Sequence, residues 1–271
     1  MSSTPTYNAT LQERIHVAPG LAIFRILPDE SPIPFTPGQF TILGLMRSSP
    51  RLPEAEEEEP PTRPGDRLIR RPYSISSASQ QQEYLEFYIS LVNSGELTPR
   101  LFMLQPGDRI FLGTKAAGLF TLEQVDPACN ILMVATGTGL APYMSMLRTH
   151  ALSHDQRQIT ILQGARHSWD LGYRAELAAL ARQNNRFRYL PVVSRSDEEP
   201  PWGGLTGRLT PWLNNPSLPQ LCGFPLEPDL THVFLCGHPE MVTDASQILT
   251  DKGYTTGTRS APGSLHLEKY W

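Results

Sequence analysis

Leu68-Ile69-Arg70-Arg71-Pro72-Tyr73-Ser74-Ile75 is the stretch on which the fold turns. Alternation puts Ile69, Arg71, Tyr73 and Ile75 on one face of a strand, and Arg70, Pro72 and Ser74 on the other. Pro72 has no N–H, so it belongs at a strand end, an edge or a break in the ladder. Such a place leaves an arginine, an aromatic ring and a hydroxyl close together. An arginine fork suits a diphosphate. A tyrosine ring stacks on a planar heterocycle while its hydroxyl reaches a polar group. A serine hydroxyl is small enough to touch the edge of that heterocycle. Alone, these residues describe an ordinary strand; the surrounding chain decides otherwise.

Working outward, short strands are expected over 11–17, 21–27, 39–46, 68–75, 85–92 and 108–112, most of them bounded by Pro or Gly. Six strands at this spacing predict a small antiparallel β-barrel over residues 1–122. Thr36-Pro37-Gly38 and Gln105-Pro106-Gly107-Asp108 supply turn chemistry. The stretch 47–67 is rich in Pro and Glu and reads as a solvated surface loop. From about residue 130 the pattern changes. A continuous apolar run at 131–135 and further strands expected at 159–162, 188–193 and 233–236 alternate with helical segments at 142–152, 173–182 and 239–252. That alternation predicts an α/β domain with a parallel sheet over residues 123–271.

The 271 residues are enough for two domains. No apolar stretch is long enough to span a membrane, and Met1 to Ala9 has no apolar signal core, so a cytoplasmic protein is expected. Cys129, Cys222 and Cys236 are too few and too scattered for a zinc site or an iron–sulfur cluster, and no metal is expected. The net charge of −4 owes much to five acids in Glu54 to Glu59; without them 22 acids face 23 bases. A near-neutral body shows no nucleic-acid footprint.

Leu85, Phe87, Ile89 and Leu91 alternate with Glu86, Tyr88, Ser90 and Val92, so the second set borders either solvent or a ligand. Glu96-Leu97-Thr98-Pro99 follows a glycine turn, with Thr98 placed as N-cap of a helix whose free N–H groups attract phosphate. Ala135-Thr136-Gly137-Thr138-Gly139-Leu140-Ala141-Pro142 closes a parallel strand and opens a helix, the context a dinucleotide turn requires, although Pro142 stands where a third glycine is common. Arg166, Arg195 and Arg208 lie at or near strand ends, where ligands of parallel sheets bind; with Ser194 they suit a 2′-phosphate. Cys236, in Leu235-Cys236-Gly237-His238-Pro239, is either a core thiol or a small contact for a nicotinamide ring. His238 reads as a cap. The chain closes on His266-Leu267-Glu268-Lys269-Tyr270-Trp271, and two terminal rings waste apolar surface unless packed.

In order and spacing, these motifs resemble the bacterial ferredoxin–NADP⁺ reductases of the flavodoxin/ferredoxin–NADP reductase family, over roughly Thr36 to Trp271. Further matching stretches are Leu97-Thr98-Pro99-Arg100-Leu101, Pro106-Gly107-Asp108, Ala116-Ala117-Gly118 and Leu205-Thr206-Gly207-Arg208. The resemblance implies an FAD-binding barrel and an NADP-binding α/β domain, with Tyr270 and Trp271 returning to the flavin. It places Arg71, Pro72, Tyr73, Ser74, Tyr88, Ile89, Ser90, Leu91, Glu96, Leu97, Thr98, Thr138, Tyr270 and Trp271 at FAD. Ala165, Arg166, Ser194, Arg195, Arg208, Cys236 and Gly237 fall at NADP(H). Ser74, Cys236, Glu268 and Trp271 surround the reacting atoms. The implied activity is hydride transfer between NADP(H) and flavin, with single electrons passing to ferredoxin or flavodoxin by a monomer. The 47–67 loop is longer and more acidic than the family pattern. Two rivals stand beside this reading: an NADH-dependent flavin or oxygenase reductase, and a flavin-binding redox sensor without turnover.

Overall fold

The computed structural model describes residues 7–30, 33–58, 65–150, 157–198, 201–257 and 263–269. The chain divides into two compact units, Met1–Thr121 with Met144–Thr149, and Leu122–Tyr143 with His150–Trp271. Each has its own core.

The first unit holds β1 (Ala9–Ala18), β2 (Leu21–Pro28), β3 (Phe40–Met46), β4 (Leu68–Ser74), β5 (Leu85–Ser90), a one-turn helix α1 (Thr98–Leu101) and β6 (Arg109–Leu112). The strands form one antiparallel sheet in the order β4-β3-β6-β1-β2-β5. Just past β4, Ile75 bridges to Phe87 and the Ser76 N–H donates to the Glu86 carbonyl at 2.7 Å. The two ends of the sheet thereby meet just past Ser74 and close a barrel, while the earlier part of β4 remains an outer strand. The alternating apolar set fills the interior: Leu11, Phe24, Ile26, Leu43, Ile69, Leu85, Phe87 and Ile110 are wholly buried. Phe24 meets Phe102 edge to face at 5.5 Å.

Two expectations need correction here. The second face of β5 is not open: Glu86 and Tyr88 are as buried as their neighbours. Glu86 is tolerated inside because Arg25 Nε (3.0 Å), Arg148 Nη1 (2.6 Å) and Ser76 Oγ (3.2 Å) all donate to its carboxylate. The acidic loop is likewise ordered through Glu58. Its backbone is pinned by Leu52 N–H to Pro99 O (3.2 Å) and Glu56 N–H to Asn93 O (3.2 Å). Arg100, only 4% exposed, forms a two-pronged ion pair with Glu58. The charges are matched within the chain, so solvent is not needed to stabilise them. Residues 59–64 lie outside the described set.

The second unit holds β7 (Asn130–Thr136), β8 (Ile159–Ala165), α3 (Arg174–Gln183), β9 (Phe187–Val193), β10 (Leu205–Thr206), α4 (Leu209–Trp212), α5 (Leu218–Cys222), β11 (Thr231–Gly237), α6 (Pro239–Asp251) and β12 (Leu265–Lys269), while α2 (Ala141–His150) gives Met144–Thr149 to the first unit and only its ends to the second. All its strands are parallel, in the order β10-β9-β8-β7-β11-β12. β7, β8 and β11 are covered on both faces, with Leu132, Val134, Leu162, Val233 and Leu235 fully buried, while β9 buries Phe187, Val192 and Val193 and exposes Arg188. His238 caps α6 as expected, its Nδ1 accepting from the Glu240 N–H at 3.3 Å. Strands β10 and β12 and the short helices α4 and α5 add to the expected pattern. Among the described residues, no helix is long and apolar enough to cross a membrane.

Candidate functional site

The decisive stretch is β4, the strand at the end of the antiparallel list. Pro72 lies opposite Ile42 and is exposed, as a residue without an N–H should be on an outer strand. Ser74 is 6% exposed, opposite Phe40; Tyr73 packs partly on the barrel core, and burial pushes its phenol pKa up. Arg71 is half exposed and donates from Nη2 to Glu96 Oε2 at 2.7 Å. Arg47 reaches the other oxygen of Glu96 at 3.0 Å, and Arg67 pairs with it too. Arg71, Arg67 and Arg47 therefore converge on one carboxylate.

Glu58 binds Arg47 (3.4 Å), Arg51 (3.6 Å) and Arg100. Five guanidinium groups thus share the two carboxylates Glu58 and Glu96, and the ion pairs leave positive charge to spare. A diphosphate supplies the missing negative charge in the geometry that arginine forks favour. This donor set fits the diphosphate of a flavin dinucleotide, and Tyr73 and Ser74 on the same strand fit its ring.

Of the remaining expected residues, Ile89 is buried and Ser90 partly so; the Leu91 N–H donates to Gly20 O at 2.7 Å. Leu97 belongs to the barrel core. Thr98 departs from its expected role. It is the first helical residue, and Leu97, in helical backbone conformation, precedes it without a side-chain cap. The Thr98 hydroxyl instead accepts from the Val92 N–H (2.9 Å) and donates to the Val92 carbonyl (3.1 Å), closing the glycine turn. A helix of four residues has little dipole to offer an anion, and the arginine cluster is the stronger source of positive charge there.

In the second unit the strand order reverses at β7, between β8 and β11, the kind of crevice where parallel sheets bind ligands. Thr136 to Gly139 leave the carboxyl end of β7, and Cys236 and Gly237 end β11. The two ends interlock. The His238 N–H donates to Thr136 Oγ1 at 3.0 Å, and a Cβ on Gly139 would collide with the Cys236 carbonyl. Gly237 holds φ +131°, which only glycine adopts without strain. Thr138 is 7% exposed and Cys236 wholly buried. Glu268 faces Cys236 in register across β11 and β12. Its Oε2 is buried without a hydrogen-bond partner, and burial raises the carboxyl pKa to about 7.

Beyond β8 and β9 the ladder continues into the loops. Ser194 N–H and Oγ donate to Ala165 O at 3.0 and 3.2 Å, and Arg195 N–H donates to Arg166 O at 2.9 Å. Gly207 N–H donates to Val193 O at 2.9 Å, and Arg208 immediately precedes α4. The structure therefore brings Ala165, Arg166, Ser194, Arg195 and Arg208 to the carboxyl ends of three adjacent strands, the three arginines exposed. Three exposed guanidiniums there fit a phosphorylated ribose.

Tyr270 and Trp271 lie outside the described residues. Arg47 and Arg51 add to the expected residues, and their signal in the sequence is their position a few residues ahead of the acidic run; His167 and Glu198 add to them without any such signal. Among the described residues, no three His, Cys, Asp or Glu side chains are grouped to hold a metal.

Residues 133–247 match the family described as oxidoreductase NAD-binding domain. The flavodoxin/ferredoxin–NADP reductase of Escherichia coli (strain K12) is 34% identical, covering 92% of this chain and 93% of its own. Ferredoxin–NADP reductase A of Sorangium cellulosum is 30% identical over 87% of this chain and 80% of its own. A crystal structure of a ferredoxin NADP⁺ reductase from Neisseria gonorrhoeae with bound FAD and NADP superposes with a TM-score of 0.81 at 28% identity, covering 97% of this chain and 98% of that one.

Proposed function

The chain belongs to the flavodoxin/ferredoxin–NADP reductase family, and on that premise we propose how its own residues serve the reaction. It is an FAD-dependent oxidoreductase that moves a hydride between NADP(H) and flavin and single electrons between flavin and ferredoxin or flavodoxin. Bound FAD supplies the chemistry that converts the one currency into the other.

Arg71, with Arg47 and Arg67 beside it, holds the diphosphate of FAD. Tyr73 stacks on its ring system, and the Ser74 hydroxyl offers a hydrogen bond to the ring edge. Tyr88 to Leu91 form the wall behind. In the second unit, the glycines of the β7 turn let backbone approach the dinucleotide, and Arg166, Ser194, Arg195 and Arg208 take the 2′-phosphate. Cys236 and Glu268, neighbours in register, border the nicotinamide. Burial pushes the Glu268 carboxyl up to about 7, so this group gains and loses its proton near neutral pH. The protein acts as a cytoplasmic monomer.

The observation that supports this reading most is the lacing of Ser194 and Arg195 to Ala165 and Arg166, which sets arginines side by side at a sheet's carboxyl edge. The test begins with a flavin spectrum of the purified protein, bleached by NADPH and by NADH in parallel. Cytochrome c reduction through added flavodoxin or ferredoxin follows. Arg195→Ala and Arg208→Ala are expected to raise KM for NADPH far more than for NADH, because a charged hydrogen bond contributes about 1.5–3 kcal/mol. A colourless protein that refuses FAD, or a flavin that NADPH never bleaches, rejects the assignment.

A further inference from the structure

Glu198 lies on one of the arginines just assigned to the 2′-phosphate. It ends the short turn Ser196–Glu198 after β9, and its N–H donates to Arg195 O at 3.1 Å. Its Oε2 sits 3.6 Å from Arg195 Nη1 and 2.9 Å from His167 Nε2. His167 is held from three sides. Its Nδ1 faces Asp170 Oδ2 at 3.3 Å, its ring stacks on Trp169 at 4.5 Å and 8°, and Nε2 faces Glu198. A carboxylate at each ring nitrogen favours the charged imidazolium and raises its pKa, the Glu198 contact most of all. Arg195 is joined through its N–H to the carbonyl of Arg166, the residue before His167. Glu198 is therefore seated by a guanidinium and an imidazole that belong to the loops following β9 and β8.

We propose that Glu198 is a resident anion competing with the 2′-phosphate of NADP(H) for Arg195, and that it limits the preference of this chain for the phosphorylated nucleotide. The proposal rests on the assignment of Arg195 to that phosphate. The physical basis is like-charge exclusion. A phosphate dianion and a carboxylate cannot share one guanidinium without repulsion, so binding must displace Glu198 or accept a weakened contact. The contact is half exposed, with Arg195 and Glu198 side chains 49% and 51% accessible, so displacement is permitted and the cost is moderate. An exchanging nucleotide gains from such a device, since the carboxylate returns to Arg195 as the ligand leaves.

The test is calorimetric titration of the full-length flavoprotein with 2′,5′-ADP and with 5′-ADP, for the wild type, Glu198→Gln and Arg195→Ala. Glu198→Gln is expected to bind 2′,5′-ADP tighter by about three- to tenfold, with 5′-ADP unchanged and the gain shrinking in high salt. Arg195→Ala should lose most of the wild type's preference for 2′,5′-ADP. If it does, and Glu198→Gln binds 2′,5′-ADP no better than the wild type, the competing role of Glu198 is overturned while the NADP(H) assignment stands. If the wild type does not distinguish the two nucleotides, both fall together. Glu198→Ser, which removes the carboxylate without keeping its length, should reproduce the gain; a gain confined to glutamine would assign the effect to a new amide contact and reject competition.

Discussion

Glu268 and His266 stand two residues apart on β12 and titrate in opposite senses. Burial raises the Glu268 carboxyl to about 7 from an ordinary 4.5. Burial, with His232 adding to it, lowers His266 to about 4 from 6.5. His232 Nδ1 lies 2.9 Å from His266 Nε2, and the His266 ring stacks on Phe234 at 4.1 Å, so the imidazole has apolar and uncharged company. The folded chain keeps a proton on Glu268 that the unfolded chain sheds above pH 4.5. That stabilisation is present below 4.5 and is lost as pH rises through 7. The folded chain refuses a proton on His266 that the unfolded chain takes up below 6.5. That contribution is present above 6.5 and is lost as pH falls through 4. Each is at most about 3 kcal/mol. Between pH 4.5 and 6.5 the two slopes cancel, so these residues leave the wild-type stability nearly flat. Glu268→Gln should expose a loss of stability toward acid, and His266→Asn a loss toward neutral pH, both read from urea midpoints at half-unit pH steps. Parallel profiles for wild type and variants would refute the assignment of these groups.

At the level of elements, what could be read in advance followed from burial. Strands β7, β8 and β11 are covered on both faces and announce themselves as largely apolar segments, whereas β9 is buried mainly at its ends. The barrel strands alternate, and Pro and Gly mark where they stop. Strand β12 escaped because Leu265-His266-Leu267-Glu268-Lys269 mixes polar residues into a short segment near the chain end, while its partner residues, Val233 to Gly237, lie far back in the sequence. The strand-end arginines were legible from the glycines and apolar runs around them. The acidic segment was misread because charge runs normally seek water, and the residue that orders this one, Arg100, comes 42 positions after Glu58. A consequence follows for that segment. Removing the Glu58 carboxylate leaves Arg100 buried with only carbonyl acceptors, Arg47 O at 2.6 Å and Glu96 O at 2.6 Å. Glu58→Ala is expected to cost about 1–3 kcal/mol and to open 47–58 to limited proteolysis. Glu58→Gln, which keeps one of the two acceptor oxygens and most of the side-chain volume, should cost less. Arg100 holds the Glu58 carboxyl below its usual pKa, so the wild-type contribution is complete above pH 4.5 and fades in acid. An unchanged urea midpoint for Glu58→Ala at pH 7 would show the pair to be incidental.

Over the whole molecule, the net charge of −4 repels an acidic electron carrier, so productive encounter depends on where positive charge remains exposed. Arg25, Arg67, Arg70 and Arg100 are four arginines of the first unit that could carry it. Arg100 is buried against Glu58, and Arg25 is committed to Glu13 (2.7 Å) and Glu86 (3.0 Å). Arg67 is half exposed but shares Glu96 with Arg71 and Arg47. Arg70 is exposed on β4, one residue before Arg71, and none of the ion pairs among the described residues includes it. It is therefore the arginine of the four best able to steer a carrier toward the strand that carries Tyr73 and Ser74. Steering acts on association, and is screened within a Debye length of about 10 Å at 0.1 M salt. Arg70→Glu should lower kcat/KM for flavodoxin or ferredoxin about three- to tenfold at low ionic strength, with the deficit closing as salt rises. NADPH-driven reduction of a small uncharged quinone should be unaffected, since Arg70 is not among the residues proposed to hold the flavin or the nucleotide. Equal carrier kinetics for Arg70→Glu and wild type at low salt would move the docking surface off this strand, and an equal loss with the quinone would show that the substitution had damaged the flavin site instead.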